Sequence, residues 1–216
     1  MKLLMNIPTK DRCEILKYTL EYEINFLEKY NISINILDSS DDDRTKNLIS
    51  DYKQKYNWLD INYHFYPSDT PYYVKTIDTF FIGIDEADYV LSCGDGRVLT
   101  EEYFKQLFLC MNKGFKIIVM EIDDVSNLGN RIYYPDEQLK FFRDCSPVVT
   151  LLGGATTHSS LSKAVNKKEL LLKYKDSDII QSGFYFESII KIKDFTGIYI
   201  SKSKVAIPNP YRKFLT

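Results

Sequence analysis

The chain has 216 residues, of which 44% are hydrophobic and 27% charged, with a net charge of −2. A chain of this size buries a core that needs no staples, and its near-neutral balance gives no field for nucleic acid. Cys13, Cys93, Cys110 and Cys145 stand far apart with no CxxC pair, which argues against disulfides and structural zinc and fits a reduced cytoplasm.

The opening apolar stretch, residues 2–7, reads as a short buried strand stopped by Pro8-Thr9. Residues 12–30 carry Ile15, Leu16, Leu20, Ile24 and Leu27 at helical spacing. The Ile-rich residues 32–37 form a second strand, which ends in the polar run from Asp38 to Asp43; a helix over 44–55 follows. A third strand covers 61–66, and a helix is expected over 74–84. Residues 88–93 are the next strand, broken by Gly94-Asp95-Gly96, then a helix over 101–111 and a strand over 116–121. Further on, 148–152 reads as a strand closed by Gly153-Gly154, and 168–174 as a helix. No run is long and apolar enough for a membrane span, and Leu3-Leu4-Met5 is too short for a signal-peptide core. From Ile189 onward six cations (Lys191, Lys193, Lys202, Lys204, Arg212, Lys213) face Asp194 alone, a basic end that suits water, a diphosphate or an anionic membrane surface.

Strands alternating with helices imply crossover connections and a mainly parallel sheet covered on both faces. Ligands of such sheets bind beyond the carboxyl ends of the strands. Polar clusters fall at three of those ends: Pro8 to Arg12, Asp38 to Asp43 and Gly94 to Arg97. Asp38 and Ser39 suit a base edge or ribose, and equally an Asx turn before the next helix. In Gly94-Asp95-Gly96-Arg97 the glycines permit close ligand approach and the carboxylate suits a divalent cation on a diphosphate; a plain turn is the competing reading. Gly153-Gly154 with the following Thr156, Thr157 and His158 suits the floor of an acceptor site or a surface loop, whereas His64 reads as a packed strand residue. There is no GxxxxGK[ST], GxGxxG or GxSxG, which counts against a P-loop enzyme, a dinucleotide reader and an α/β-hydrolase.

Taken in order, these pieces resemble the family-2 glycosyltransferases of the GT-A fold. Asn6-Ile7-Pro8-Thr9-Lys10-Asp11-Arg12 is similar to the family's first strand and Pro-Thr-x-x-Arg loop. Ile36-Leu37-Asp38-Ser39-Ser40-Asp41-Asp42 resembles its second strand, and Ala87-Asp88-Tyr89-Val90-Leu91-Ser92-Cys93-Gly94-Asp95 the strand that leads into its DxD motif. The resemblance implies one GT-A domain over 1–216, with a nucleotide half (1–100) and an acceptor half (101–216), C-terminally incomplete if an acceptor region follows. It implies an inverting hexosyltransferase that uses a nucleotide-diphosphate sugar, UDP-linked by expectation, toward a glycan or glycoprotein of a bacterial surface. Pro8, Thr9 and Arg12 would line the nucleotide, Asp38 and Ser39 the base, and Lys75 and Asp95 the diphosphate. Asp95 would be the metal ligand for Mg²⁺ or Mn²⁺.

Two departures bear on chemistry. Arg97 occupies the second DxD position, where it cannot ligate a cation but can supply its own charge to the leaving diphosphate. Where the family's Glu-Asp pair falls, the chain reads Asp178-Ile179-Ile180-Gln181-Ser182. Asp178 is therefore the candidate base, with Glu187 and His158 as alternatives and Gly153, Gly154 and His158 on the acceptor side. Two other functions stay open: a catalytically silent sugar-nucleotide binder or scaffold, and a nucleotidyltransferase, which would want glycines in the loop after the first strand. The expected setting is cytoplasmic. Peripheral membrane contact, a partner protein and a homo-oligomer are each compatible with the sequence.

Overall fold

The computed structural model describes residues 1–121, 128–177, 179–201 and 206–210. Its centre is an eight-stranded sheet ordered β3-β2-β1-β4-β8-β6-β9-β7. The strands are β1 (Leu3–Thr9), β2 (Ser33–Asp38), β3 (Ile61–Phe65), β4 (Tyr89–Ser92), β6 (Ile117–Met120), β7 (Arg131–Tyr133), β8 (Ala155–His158) and β9 (Gly197–Ile200). β1 pairs in parallel with β2 and β4, β2 with β3, and β6 with β9. Only β8, inserted between β4 and β6, and the edge strand β7 run the other way. A separate antiparallel pair joins β5 (Arg97–Leu99) to β10 (Ala206–Pro208).

Alternation along the strands decides which helices cover which face. Leu3, Met5 and Ile7 of β1, with Ile34 and Ile36 of β2, meet Leu16, Leu20, Ile24 and Leu27 of α1 (Cys13–Tyr30). The same layer holds Ile49 and Tyr52 of α2 (Arg44–Lys55) and Phe104 and Leu107 of α4 (Glu101–Asn112). The opposite layer gathers Ile77 of α3 (Tyr72–Asp78), Phe141 and Val148 of α5 (Gln138–Val149), Leu161 of α6 (Ser159–Lys163), Leu170 of α7 (Lys167–Tyr174) and Phe184 of α8 (Ile180–Lys191). Phe80 stacks on Phe184, with ring centroids 4.2 Å apart, just beyond the end of α3.

The structure corrects one expected element. Residues 148–152 are not a strand: Val148 and Val149 close the last turn of α5, and Phe141, Cys145, Val148 and Val149 present its buried face. Gly153-Gly154 then precede a strand rather than ending one. α3 is also shorter than expected. It gives way to turns, and Gly83 takes φ 75 where the chain passes close to Leu4. Among the described residues, no helix is long and apolar enough to cross a membrane. Lys202, Lys204, Arg212 and Lys213 of the basic end lie outside the described residues.

Candidate functional site

At the carboxyl ends of β1, β2 and β4 three loops are tied together. Asp11 adopts φ 54, a left-handed conformation that aspartate tolerates, and turns the chain from β1 into α1. Its N–H donates to Ser40 Oγ at 2.8 Å, and its carboxylate accepts from the Asp41 N–H at 3.2 Å. Ser39 N–H reaches Thr9 O at 3.2 Å. Pro8 lies beyond the last β1–β4 pairing, Asn6 with Ser92, so its missing N–H costs no ladder bond on that side.

Asp95, from the loop after β4, is 2% exposed and holds the centre of the site. Thr9 Oγ1 donates to its Oδ2 at 2.8 Å, and Arg12 pairs with its Oδ1 at 2.8 Å. Burial pushes the Asp95 carboxyl above its ordinary value, with Arg12 and then Thr9 pulling it back. Lys75 of α3 enters from the other layer and is also buried, with Nζ 2.7 Å from Thr9 O and 2.5 Å from Ser39 Oγ. Burial lowers its ammonium pKa; the charge of Asp38 opposes that, and Lys10 adds to it. Thus Pro8, Thr9, Arg12, Asp38, Ser39, Lys75 and Asp95 converge at one end of the sheet. Arg97 starts β5 two residues beyond Asp95, its N–H closing a turn on Gly94 O at 3.0 Å.

Asp38 realises the turn reading. It is wholly buried; Oδ1 accepts from Ser40 N–H at 3.0 Å and Ser40 Oγ–H at 2.6 Å, and Oδ2 accepts from the Tyr63 hydroxyl at 3.0 Å. Its carboxylate shapes the loop from inside. Tyr63 was not legible as a site residue; only its place on β3, opposite Ile36, brings its hydroxyl within reach.

The residues expected on an acceptor side divide. β8 runs backward, so Gly153 and Gly154, just before it, lie at this same edge: Gly153 N–H donates to Ser92 O at 2.7 Å, and Met120 N–H to Gly154 O at 2.9 Å. Gly153 takes φ 95, and a Cβ on Gly154 would stand 2.6 Å from Val148 O, so both positions require glycine for backbone reasons. His158, at the far end of β8, pairs with Tyr89 at the start of β4 and caps α6 by accepting from Ser160 N–H. It lies at the opposite edge of the sheet, and burial depresses its pKa. His64 lies in β3 as expected but is only half-buried there, not packed in the core. Glu187 faces α7, paired with Lys173 and with the Tyr174 hydroxyl at 2.9 Å, and those contacts lower its pKa. Asp178 lies outside the described residues. Glu121, a buried carboxylate directly after β6, is a site-edge residue that the sequence reading did not single out.

Among the described residues, the donors at this edge are not arranged to hold a divalent metal. Both oxygens of Asp95 are engaged, one by a guanidinium, and Arg97 stands in the second position. Among the described residues no three His, Cys, Asp or Glu groups gather to hold an ion. The Arg12–Asp95 pair makes a direct prediction. Asp95→Asn is expected to cost ~1–2 kcal/mol, below the range for a fully buried pair because Arg12 is part-exposed. Denaturant unfolding of Asp95→Asn, Arg12→Gln and the double variant should show non-additivity; strictly additive losses would remove the pair as a stabilising contact.

The sequence matches no family model and no curated protein at a significant level. Its fold does have solved counterparts. TarS of S. aureus (residues 1–349) superposes with TM-score 0.60 at 14% identity, over 93% of this chain and 60% of that one. The mannosyltransferase PcManGT from Pyrobaculum calidifontis, in complex with GDP-Man and Mn²⁺, gives TM-score 0.59 at 10% identity, over 96% of this chain and 56% of that one. The fold is of the GT-A type. A 4-diphosphocytidyl-2C-methyl-D-erythritol synthase from Anaerococcus prevotii shares the α/β architecture, with TM-score 0.57 at 16% identity, over 98% of this chain and 92% of that one. The present GT-A chain spans 60% or less of the TarS and PcManGT chains.

Proposed function

We propose that the chain binds a nucleotide-diphosphate sugar at the carboxyl ends of β1, β2 and β4 and transfers the sugar to a hydroxyl of a glycan or glycoprotein with inversion. The observation that carries this reading is the gathering of Arg12 and Lys75 at the buried Asp95 in a GT-A fold, with Arg97 two residues further along the same loop. In the transfer, a base takes the acceptor proton as that oxygen bonds to the anomeric carbon. The bond from that carbon to the diphosphate breaks, and the nucleoside diphosphate leaves with the electron pair. The negative charge that grows on the leaving oxygens meets cations already fixed in place, as electrostatic stabilisation requires. Arg97 supplies charge where the related pattern has a carboxylate, and no step is assigned to a metal. The neighbour solved with GDP-Man makes a guanosine donor as testable as a UDP-sugar.

A melting-temperature series tests the reading. UDP, GDP or one of their sugars at 100 times its dissociation constant adds roughly 2.7 kcal/mol of stability. For a domain of this size that raises the melting temperature by about 5–10 °C. The shift is expected to persist in EDTA and to shrink in Arg97→Ala. If no nucleotide or nucleotide sugar moves the transition at millimolar concentration, the assignment fails. Loss of the shift in EDTA, restored by Mn²⁺, would return a metal to the site.

The arrangement around Asp95 also favours a second reading, a catalytically silent nucleotide-sugar binder or scaffold, because Arg12 occupies the carboxylate and Gln181-Ser182 follow Asp178. Binding without transfer or donor hydrolysis would select it. Pyrophosphate release from a nucleoside triphosphate would select a nucleotidyltransferase, against which the glycine-free Pro8-to-Arg12 loop argues.

A further inference from the structure

α1 buries two polar residues on the face that otherwise packs Leu16, Leu20 and Ile24: Thr19 and, one turn on, Glu23. Buried polar groups on an apolar face are costly unless they are bonded. Both reach the same short segment. Thr19 Oγ1 donates to Asp95 O at 2.8 Å, and Glu23 Oε1 accepts from Leu99 N–H at 2.6 Å. The two ends of the segment 95–99, which carries the central carboxylate and Arg97, are thus held from one side by a single helix.

The other side is held by the C-terminal strand. β10 runs antiparallel to β5, with Pro208 opposite Arg97 and Ala206 opposite Leu99. Immediately after it, Asn209 is buried, and its Nδ2 donates to Ile15 O at 3.0 Å and to Thr19 Oγ1 at 3.1 Å. A threonine hydroxyl has one proton to give and lone pairs to receive with. Thr19 uses both, accepting from Asn209 and donating to the backbone of Asp95. Asp95 in turn orients Thr9 and Arg12.

We propose that Asn209 is a positioning residue for the 95–97 loop, acting through the Thr19 hydroxyl, so that the C-terminal strand sets the geometry of the nucleotide-binding edge without touching the ligand. The consequence for binding rests on the function proposed above; the relay itself does not. In the free protein, hydrogen exchange at the Arg97 amide, bonded to Gly94 O, and at the Leu99 amide, bonded to Glu23, reports the loop. Asn209→Ala and the near-isosteric Thr19→Val are each expected to speed exchange at those amides about 5–10-fold, the worth of one net hydrogen bond, with the β1 and β2 amides unchanged. The double variant should exchange no faster than Thr19→Val alone, because the relay is broken once. Multiplying effects, or exchange unchanged in both single variants, would overturn the relay. If Asn209→Ala does not fold, Thr19→Val with Thr19→Ser as its rescue carries the same comparison. Calorimetric titration with UDP and with GDP supplies the second arm. If the parent chain binds either one, Asn209→Ala should bind it about 5–10-fold more weakly. Equal affinity would overturn the positioning role while leaving the nucleotide site intact. If the parent binds neither, the nucleotide reading falls, and the exchange data alone decide the relay.

Discussion

Exchange of Asp178 for asparagine is expected to slow sugar transfer by roughly 10²–10⁴-fold while leaving nucleotide binding intact, the range for removal of a general base. The motivation is positional. α8 begins at Ile180, and Gln181 in its first turn donates to Thr150 O at 2.6 Å, just past the end of α5. The chain then runs through Gly153 and Gly154, which bridge the carboxyl ends of β4 and β6. Gln181 thus ties the first turn of α8 to the segment that leads into Gly153 and Gly154, and Asp178 stands three positions before it in sequence. Steady-state transfer and a separate donor titration measure the effect. Transfer within a few-fold of the parent eliminates Asp178. Glu121→Gln is then the next variant, since that buried carboxylate leaves β6 at the same edge, whereas His158 lies at the opposite edge of the sheet.

The second large effect concerns pH. Glu23 has no exposed surface, and burial pushes its carboxyl up to about 8, with only the Leu99 N–H pulling it down. Its Oε2 has no hydrogen-bond partner. The folded chain keeps a proton there that the unfolded chain releases near 4.5. Between those values the folded state binds more protons, so this contribution is complete below the unfolded value and is lost as pH rises through the folded one. The loss approaches ~1.4 kcal/mol per pH unit, or about 3 kcal/mol between pH 5 and pH 7. In a chain of this size that lowers the melting temperature by about 5–10 °C. Glu23→Gln keeps a carbonyl oxygen for Leu99 and cannot ionise. Its stability should exceed that of the parent at pH 7 and vary much less over the same window. Parallel curves for the two proteins would mean that Glu23 does not titrate in this range.

The first hundred residues were the legible part, for a physical reason. β1, β2 and β4 are largely apolar runs and β3 an alternating one, separated by helices with clear periodicity, so their carboxyl ends, and the polar residues there, can be read by counting. Lys75 came instead from the family resemblance, and it lies on α3, the element after β3. Beyond residue 120 the signals weaken. β8 is Ala-Thr-Thr-His, which has the composition of a loop and becomes a strand only because β4 and β6 pair with it on both sides. The β-branched Val148 and Val149 looked like a strand and belong to a helix whose preceding turns already fix their face. In the site, Thr19 and Glu23 were visible in principle as polar breaks in the apolar stripe of α1. Asn209 carried no local signal, since its partners lie at the other end of the chain.

That separation has a kinetic side. Asn209 meets Ile15 across 194 positions of sequence, and β10 meets β5 across about half the chain. Closing loops of that length is entropically expensive and tends to come late in folding. The parallel block β3-β2-β1-β4 is complete by residue 92. A ribosome, which releases the chain from its amino end, will have delivered this block long before Asn209 emerges. The sheet edge that carries Thr9 and Asp38 is thus expected to form before the 95–97 loop, with Asp95, gains the contact that Asn209 makes through Thr19.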